Sequence, residues 1–191
     1  MTARAKEQEN ETTRTSLPGD PPWAESVARM IRVNHAGEYG AVQIYKGQLA
    51  VLARSGQRDV LQKMLDQEQA HLATFEEWIA NRRVRPTLLT PCWRVAGYAL
   101  GAATALMGER AAMACTVAVE EVIDEHYEGQ LRQLGEEEAE LRETITAFRA
   151  DELAHKDLAI ERGAKAVPAY PLLSGAIKAA SRLAIWLSTR V

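Results

Sequence analysis

The chain has 191 residues, enough for one domain with a substantial core, and its apolar (47%) and charged (26%) fractions are those of an ordinary globular protein. A formal net charge of −3, with no segment rich in Lys and Arg, excludes a nucleic-acid groove. Cys92 and Cys115 stand alone, without CxxC spacing, and are expected as free thiols in a reducing compartment.

In chain order, residues 1–22 are polar, with no apolar run of the kind a secretory signal needs, and are expected to be a disordered N-terminal segment. From Trp23 the apolar residues recur at helical spacing, predicting a helix that ends near Ser55-Gly56. The stretch 59–82 predicts a second helix, with Leu61, Met64, Leu65, Leu72 and Phe75 on one face. Pro86 and Pro91 break the pattern, and a long run rich in small residues follows from about Arg94 to Leu134. Its first part, 88–108, is apolar enough to raise a membrane-spanning reading, against which Pro91, Arg94 and many Ala and Gly residues argue. The "GYALG" stretch within it would let another helix approach closely.

Gly135 punctuates before a fourth helix over 136–164, which Pro168 and Pro171 end. A last helix runs from 172 to the C-terminus, with Leu173, Ile177, Ala180, Ala184, Leu187 and Val191 in one stripe and Lys178 and Arg182 opposite. From Arg162 onward there are five basic residues and no acidic ones. Such a helix either lies on an anionic membrane surface or docks on the rest of the fold; Ile185 and Trp186, off the stripe, lean towards membrane or oligomer contact. Altogether the pattern is all-α: a four-helix bundle over 23–191 with an additional C-terminal amphipathic helix.

Chemistry enters through the histidines. Only four are present, and two stand three residues after a glutamate, in "EQAH" (Glu68, His71) and "ELAH" (Glu152, His155). On a helix, positions i and i+3 share a face. The face around Glu68 is apolar, so both groups point inward, where an unpaired carboxylate costs several kcal/mol. Glu38 shares its face with Ile31, Val42, Tyr45 and Leu49, and Glu120 with Met113, Val117, Ile123 and Tyr127. Glu38 precedes Glu68 by 30 residues and Glu120 precedes Glu152 by 32, so two helical hairpins repeat one layout: Glu, then Glu-x-x-His. Packed together they put four carboxylates and two imidazoles in one core, the ferritin-like di-iron or di-manganese arrangement. In it each Glu of the Glu-x-x-His pairs bridges two metals and the other two bind one each; O and N donors suit Fe or Mn. Asp151 is a candidate to orient a ligand His, Tyr127 lies on the ligand face, and His126 is a weaker candidate at the edge of the site. His35 reads as a core histidine.

The local text is more specific than that pattern. "RVNHAGEYGA" (32–41), "QKMLDQEQAHL" (62–72), "RVRPT" (83–87), "MACTVAVEE" (113–121) and "DELAHKD" (151–157) resemble the demethoxyubiquinone hydroxylase family of ubiquinone biosynthesis, from about residue 29 to the C-terminus. The resemblance implies a membrane-associated di-iron monooxygenase that hydroxylates the ring of a prenylated quinone or quinol precursor with O₂. It implies two Fe ions, entering as Fe²⁺, on Glu38, Glu68, His71, Glu120, Glu152 and His155, and NADH or the quinol as electron donor. No dinucleotide-binding fingerprint is present in the chain. In a bacterium it implies a peripheral protein on the cytoplasmic face of the membrane. A homo-oligomer and a lipid-presenting partner protein stay open. The competing readings are another ferritin-like di-metal enzyme (a peroxidase, a manganese catalase or a tRNA hydroxylase) or a non-enzymatic iron-binding protein of the membrane surface.

Overall fold

The computed structural model describes residues 22–191; the stretch expected to be disordered lies outside the described residues apart from Pro22, which caps the first helix. Among the described residues there are six α-helices and no strand. These are α1 (Trp23–Leu52), α2 (Arg58–Arg82), α3 (Thr90–Leu106), α4 (Glu109–Leu131), α5 (Ala139–Glu161) and α6 (Tyr170–Ser188). Short 3₁₀ turns at Glu136–Glu138 and Ala164–Ala166 precede α5 and α6.

Four of these helices, α1, α2, α4 and α5, form the bundle, and their directions can be read from the core. One buried cluster gathers Val42, Leu52, Leu61, Met64, Met113 and Val117; a second gathers Val27, Ile31, Phe75, Trp78, Leu141 and Ile145. The chain passes from the second cluster to the first along α1 and back along α2. It passes from first to second along α4 and back along α5. Each hairpin is therefore antiparallel, and the six predicted polar residues fall midway along the four helices, between the two apolar ends.

Since α2 finishes at the end opposite to where α4 begins, the chain has to return between them, and α3 makes that return. This corrects the expectation of one long run over 94–134. The run is two helices, broken at Gly108, whose φ of +114° is a conformation that residues with a Cβ rarely adopt. The prolines also act differently from expectation. Pro91 and Pro171 lie in the first turns of α3 and α6, where a missing N–H costs nothing, rather than ending the helices before them. The residues 136–138, read as helix, form the 3₁₀ turn instead.

Helix α3 lies against α1 at backbone contact. A Cβ on Gly97 would meet the Gly40 carbonyl at 2.9 Å, one on Gly101 would collide with the Ile44 carbonyl, and one on Gly47 with that of Tyr98. The small residues of "GYALG" thus do allow a close approach. Helix α6 covers the neighbouring face, burying Ile177 against Ile44, Cys115 and Val119. Trp93 Nε1 donates to Ser188 Oγ at 3.0 Å and ties α3 to the end of α6. Lys178 and Arg182 point at α4, where they pair with Glu121 and Glu125, so of the two readings left open for this helix the basic face follows docking on the fold. No helix among the described residues is long and apolar enough to cross a membrane. Both cysteines are free thiols, Cys92 exposed and Cys115 buried.

Candidate metal centre

All six residues singled out from spacing meet in the polar middle of the bundle, and all are buried. They form two groups, Glu38–Glu68–His71–Glu152 and Glu68–Glu120–Glu152–His155, and within each group one ligand-type atom per residue lies within 4.8 Å of the others. Glu68 and Glu152 belong to both groups. His71 Nδ1 is 3.2 Å from Glu152 Oε1 and 3.6 Å from Glu38 Oε2; His155 Nδ1 is 3.1 Å from Glu68 Oε1 and 3.4 Å from Glu152 Oε2.

The remaining polar atoms around this centre are paired in a crossed manner. Tyr127, seven residues after Glu120, donates its hydroxyl to Oε1 of Glu38 on the other hairpin. Tyr45, seven residues after Glu38, donates to Oε1 of Glu120 at 2.9 Å. His71 Nε2 faces Asp151 Oδ2 and His155 Nε2 faces Gln67 Oε1, both at 3.1 Å. Phe148 stacks on the His71 ring with centroids 3.8 Å apart. Each histidine thus directs Nε2 outward to an acceptor and turns Nδ1 inward, so that loss of the Nδ1 proton would present its lone pair to the centre.

What is left over is the set of inward atoms. Glu38 Oε2, Glu120 Oε2, both oxygens of Glu68 and of Glu152, and Nδ1 of His71 and His155 have no hydrogen-bond partner among the described residues. Although close, these atoms lack hydrogen-bond geometry towards one another; they converge on shared points. Buried acceptors without partners are costly, and a cation at each convergence would satisfy all of them. The donor set of carboxylates and imidazoles is that of iron or manganese, so the residues present fit a pair of such ions.

The electrostatics carry the same message. Burial, with Glu152, Glu38 and Glu120 close by, pushes the Glu68 carboxyl well above the usual carboxylate range. Burial and Glu152 do the same to Glu120. For His71, burial acts to lower the pKa, but the carboxylates of Glu152 and Glu38 outweigh it and raise it to about 10. Burial would raise Glu152, yet His155 and His71 beside it hold it down at about 2. A trapped proton and a metal ion are two answers to one excess of negative charge. Burial and the surrounding carboxylates raise Tyr45 and Tyr127 well above the ordinary phenol value, which keeps both hydroxyls as donors.

Of the other candidates, Asp151 reaches a histidine and Tyr127 reaches a carboxylate, as just described. His126 reaches neither: its Nε2 accepts from Gln130 Nε2 at 2.7 Å, and burial lowers its pKa to about 4. Gln130 in turn exchanges two hydrogen bonds of 2.8 Å with Asn34, so His126 belongs to a buried amide pair beside the centre. His35 is buried and outside both groups. Sequence reasoning missed Gln67 and the bonding role of Tyr45. Both were visible as repeats: Gln67 precedes Glu68 as Asp151 precedes Glu152, and Tyr45 follows Glu38 at the interval at which Tyr127 follows Glu120.

Beside the centre, α1, α3, α4 and α6 enclose a cavity of about 280 Å³. It is lined by Gly37 and Ala41, close to Glu38 on α1, by Val119, next to Glu120 on α4, and by Leu100 of α3 and Ile185 of α6. Ile185, off the expected stripe, is thus half-buried against the bundle.

Comparison with known proteins agrees with this architecture. The family model described as "Ubiquinone biosynthesis protein COQ7" matches residues 25–188. The "3-demethoxyubiquinol 3-hydroxylase" of Rhodospirillum rubrum is 58% identical over 181 residues, covering 94% of this chain and 85% of that one. The "NADPH-dependent 3-demethoxyubiquinone 3-hydroxylase, mitochondrial" of Homo sapiens is 52% identical over 170 residues (87% and 78%). The "5-demethoxyubiquinone hydroxylase, mitochondrial" of Saccharomyces cerevisiae is 44% identical over 180 residues (85% and 77%). With the match running through all six helices and both halves of the centre, the chain belongs to the COQ7 family of ubiquinone biosynthesis proteins.

Proposed function

We propose that this chain is a ring hydroxylase that places one oxygen atom of O₂ on a prenylated demethoxy-ubiquinone or ubiquinol precursor, using two iron ions held by Glu38, Glu68, His71, Glu120, Glu152 and His155. The observation that carries this reading is the pair of four-residue groups sharing Glu68 and Glu152, each with unpartnered atoms turned inward. Bound there, the ions would supply the activation of O₂. The remaining work falls to the protein. Tyr127 and Tyr45 each hold one oxygen of Glu38 and Glu120, leaving the second oxygen of each for a single ion. Glu68 and Glu152, which belong to both groups and keep both oxygens unpartnered, would help to hold either ion.

The cavity between α1, α3, α4 and α6 receives the substrate, since its walls are apolar and include Gly37 and Val119, the chain neighbours of Glu38 and Glu120. Val95, Leu106, Met107, Leu172, Leu183 and Trp186, on or beside α3 and α6, are exposed large apolar residues. Exposed apolar side chains on two helices that also line the cavity suit an interaction surface, and a greasy substrate points to the membrane as its partner. The protein is then peripheral, with its substrate drawn from the bilayer between α3 and α6. Electrons come from a reduced nicotinamide or the quinol; the human and Dictyostelium discoideum relatives are named NADPH-dependent.

Cells lacking this protein should accumulate a prenylated precursor short of one ring oxygen, and the wild-type chain should clear it. Glu68→Ala should not; clearance at the wild-type rate by that variant would refute the reading. Anaerobic reconstitution should give about two irons per chain, and a clearly substoichiometric content would count equally against it.

A further inference from the structure

The centre is built from two hairpins whose contributions match in almost every respect. Each supplies a Glu, a Glu-x-x-His pair, a tyrosine bonded to the other hairpin's single Glu, and an acceptor for the other hairpin's histidine. The two acceptors occupy equivalent places, immediately before Glu68 and Glu152, and the same 3.1 Å separates each from its histidine. They differ chemically: Asp151 is a carboxylate and Gln67 a neutral amide.

We propose that this difference in charge makes the two metal positions inequivalent, so that the position of Glu38, Glu68, His71 and Glu152 binds its ion more tightly and fills first. The inference rests on the reading of the six residues as metal ligands. A carboxylate accepting from Nε2–H draws that proton outward and raises the electron density on Nδ1, which makes His71 the stronger donor. It also places a negative charge one imidazole away from the ion, where Gln67 places none. Asp151 is partly exposed, its side chain retaining 41% of its accessible surface, so water screens the bare charge. The hydrogen bond itself is not screened in that way, because His71 is buried and Phe148 stacks on its ring. Changes to such outer partners alter metal affinity by roughly 10–100-fold. With both acceptors present and only their charge differing, a preference of about tenfold is expected, at the lower end of that range. Asp151 is a positioning residue in this account, since it acts through His71.

The test uses the full chain, stripped of metal and supplied anaerobically with one equivalent of Co²⁺, a divalent ion that stays divalent. Anomalous scattering from crystals then reads the occupancy of each position. The wild type should show the stronger peak beside His71. Asp151→Asn, which keeps an acceptor and removes the charge, should bring the two peaks close to equal. Exchange of the acceptors, Gln67→Asp with Asp151→Gln, should move the stronger peak beside His155. Both positions are half-buried, and a thermal melt checks that the variants fold. Equal occupancy in the wild type, or a preference for the His71 side that survives the exchange, overturns the proposal. Absence of cobalt from both positions would instead overturn the assignment of the ligands themselves.

Discussion

Glu68 is fully buried, and three other carboxylates act on it. Its place in the bundle makes sense as a ligand and is unfavourable in any other role, because a buried carboxylate without a partner opposes folding. The consequence is a sign reversal between two states of the protein. In metal-stripped protein, Glu68→Gln keeps the shape and relieves the repulsion, so it should raise the unfolding free energy by about 1 kcal/mol, or the melting temperature by roughly 2–4 °C for a chain of this size. In metal-supplied protein the same variant should lose most of the stabilisation that binding confers, about 2.7 kcal/mol when the free ion is 100 times its Kd. Paired thermal melts with and without chelator check both halves. A variant destabilised equally in the two states would mean that Glu68 serves packing alone.

At the level of elements, the contact of α1 with α3 depends on glycines in a way that single substitutions can expose. Ala is favoured over Gly in a helix by roughly 0.5–1 kcal/mol. At Gly101 the added methyl meets a backbone carbonyl, which cannot rotate aside, so the clash prevails and Gly101→Ala should destabilise by about 1–3 kcal/mol. At Gly175 in α6 a Cβ meets nothing within 4 Å, so Gly175→Ala should stabilise by roughly 0.5–1 kcal/mol. Urea midpoints of the two variants should therefore move in opposite directions.

Helix α6 carries a second prediction at this scale. Lys178 and Arg182 are already engaged by Glu121 and Glu125, so vesicle binding should rely on the outward apolar residues and depend only weakly on salt. Leu183→Ser with Trp186→Ser should abolish co-sedimentation with vesicles without lowering the melting temperature, since both side chains are more than half exposed. Binding that vanishes at high salt in the wild type would assign the attraction to charge instead.

For the whole molecule, the centre links stability to pH, and the sign follows from each shift. Glu68 and Glu120 are raised in the folded protein, so their contribution is complete below the ordinary 4.5 and is lost as pH rises. His71, raised to about 10, contributes fully below 6.5 and loses that contribution as pH rises towards 10. Glu152, held at about 2, contributes above 4.5 and fails as pH falls towards 2. Metal-stripped protein should therefore be most stable near pH 4.5 and weaken as pH rises from there, more steeply once His71 joins above 6.5. Metal binding requires the deprotonated ligands and expels these protons, so its benefit runs the other way. The difference in melting temperature between metal-loaded and stripped protein should grow from pH 5.5 to pH 8; a difference that shrinks over this range would contradict the ligand set.

Which side chains face inward is legible in the chain itself, because helical periodicity is local geometry: Glu68 and His71 share a face whatever packs against it, and an apolar surround forces that face into the core. So is the repetition of one pattern in the two hairpins, since intervals of 30 and 32 residues each span one hairpin. How the halves meet is visible only in the folded bundle. The crossed bonds from Tyr45 to Glu120, from Tyr127 to Glu38, and from each histidine to the residue before the opposite Glu depend on helix direction and stagger. Those are set by the return of α3 along α1, which no local spacing encodes. For the same reason the break at Gly108 and the pairing of Lys178 and Arg182 with α4 were hidden in the chain. A helical pattern records which face is apolar and is silent about which neighbour will cover it.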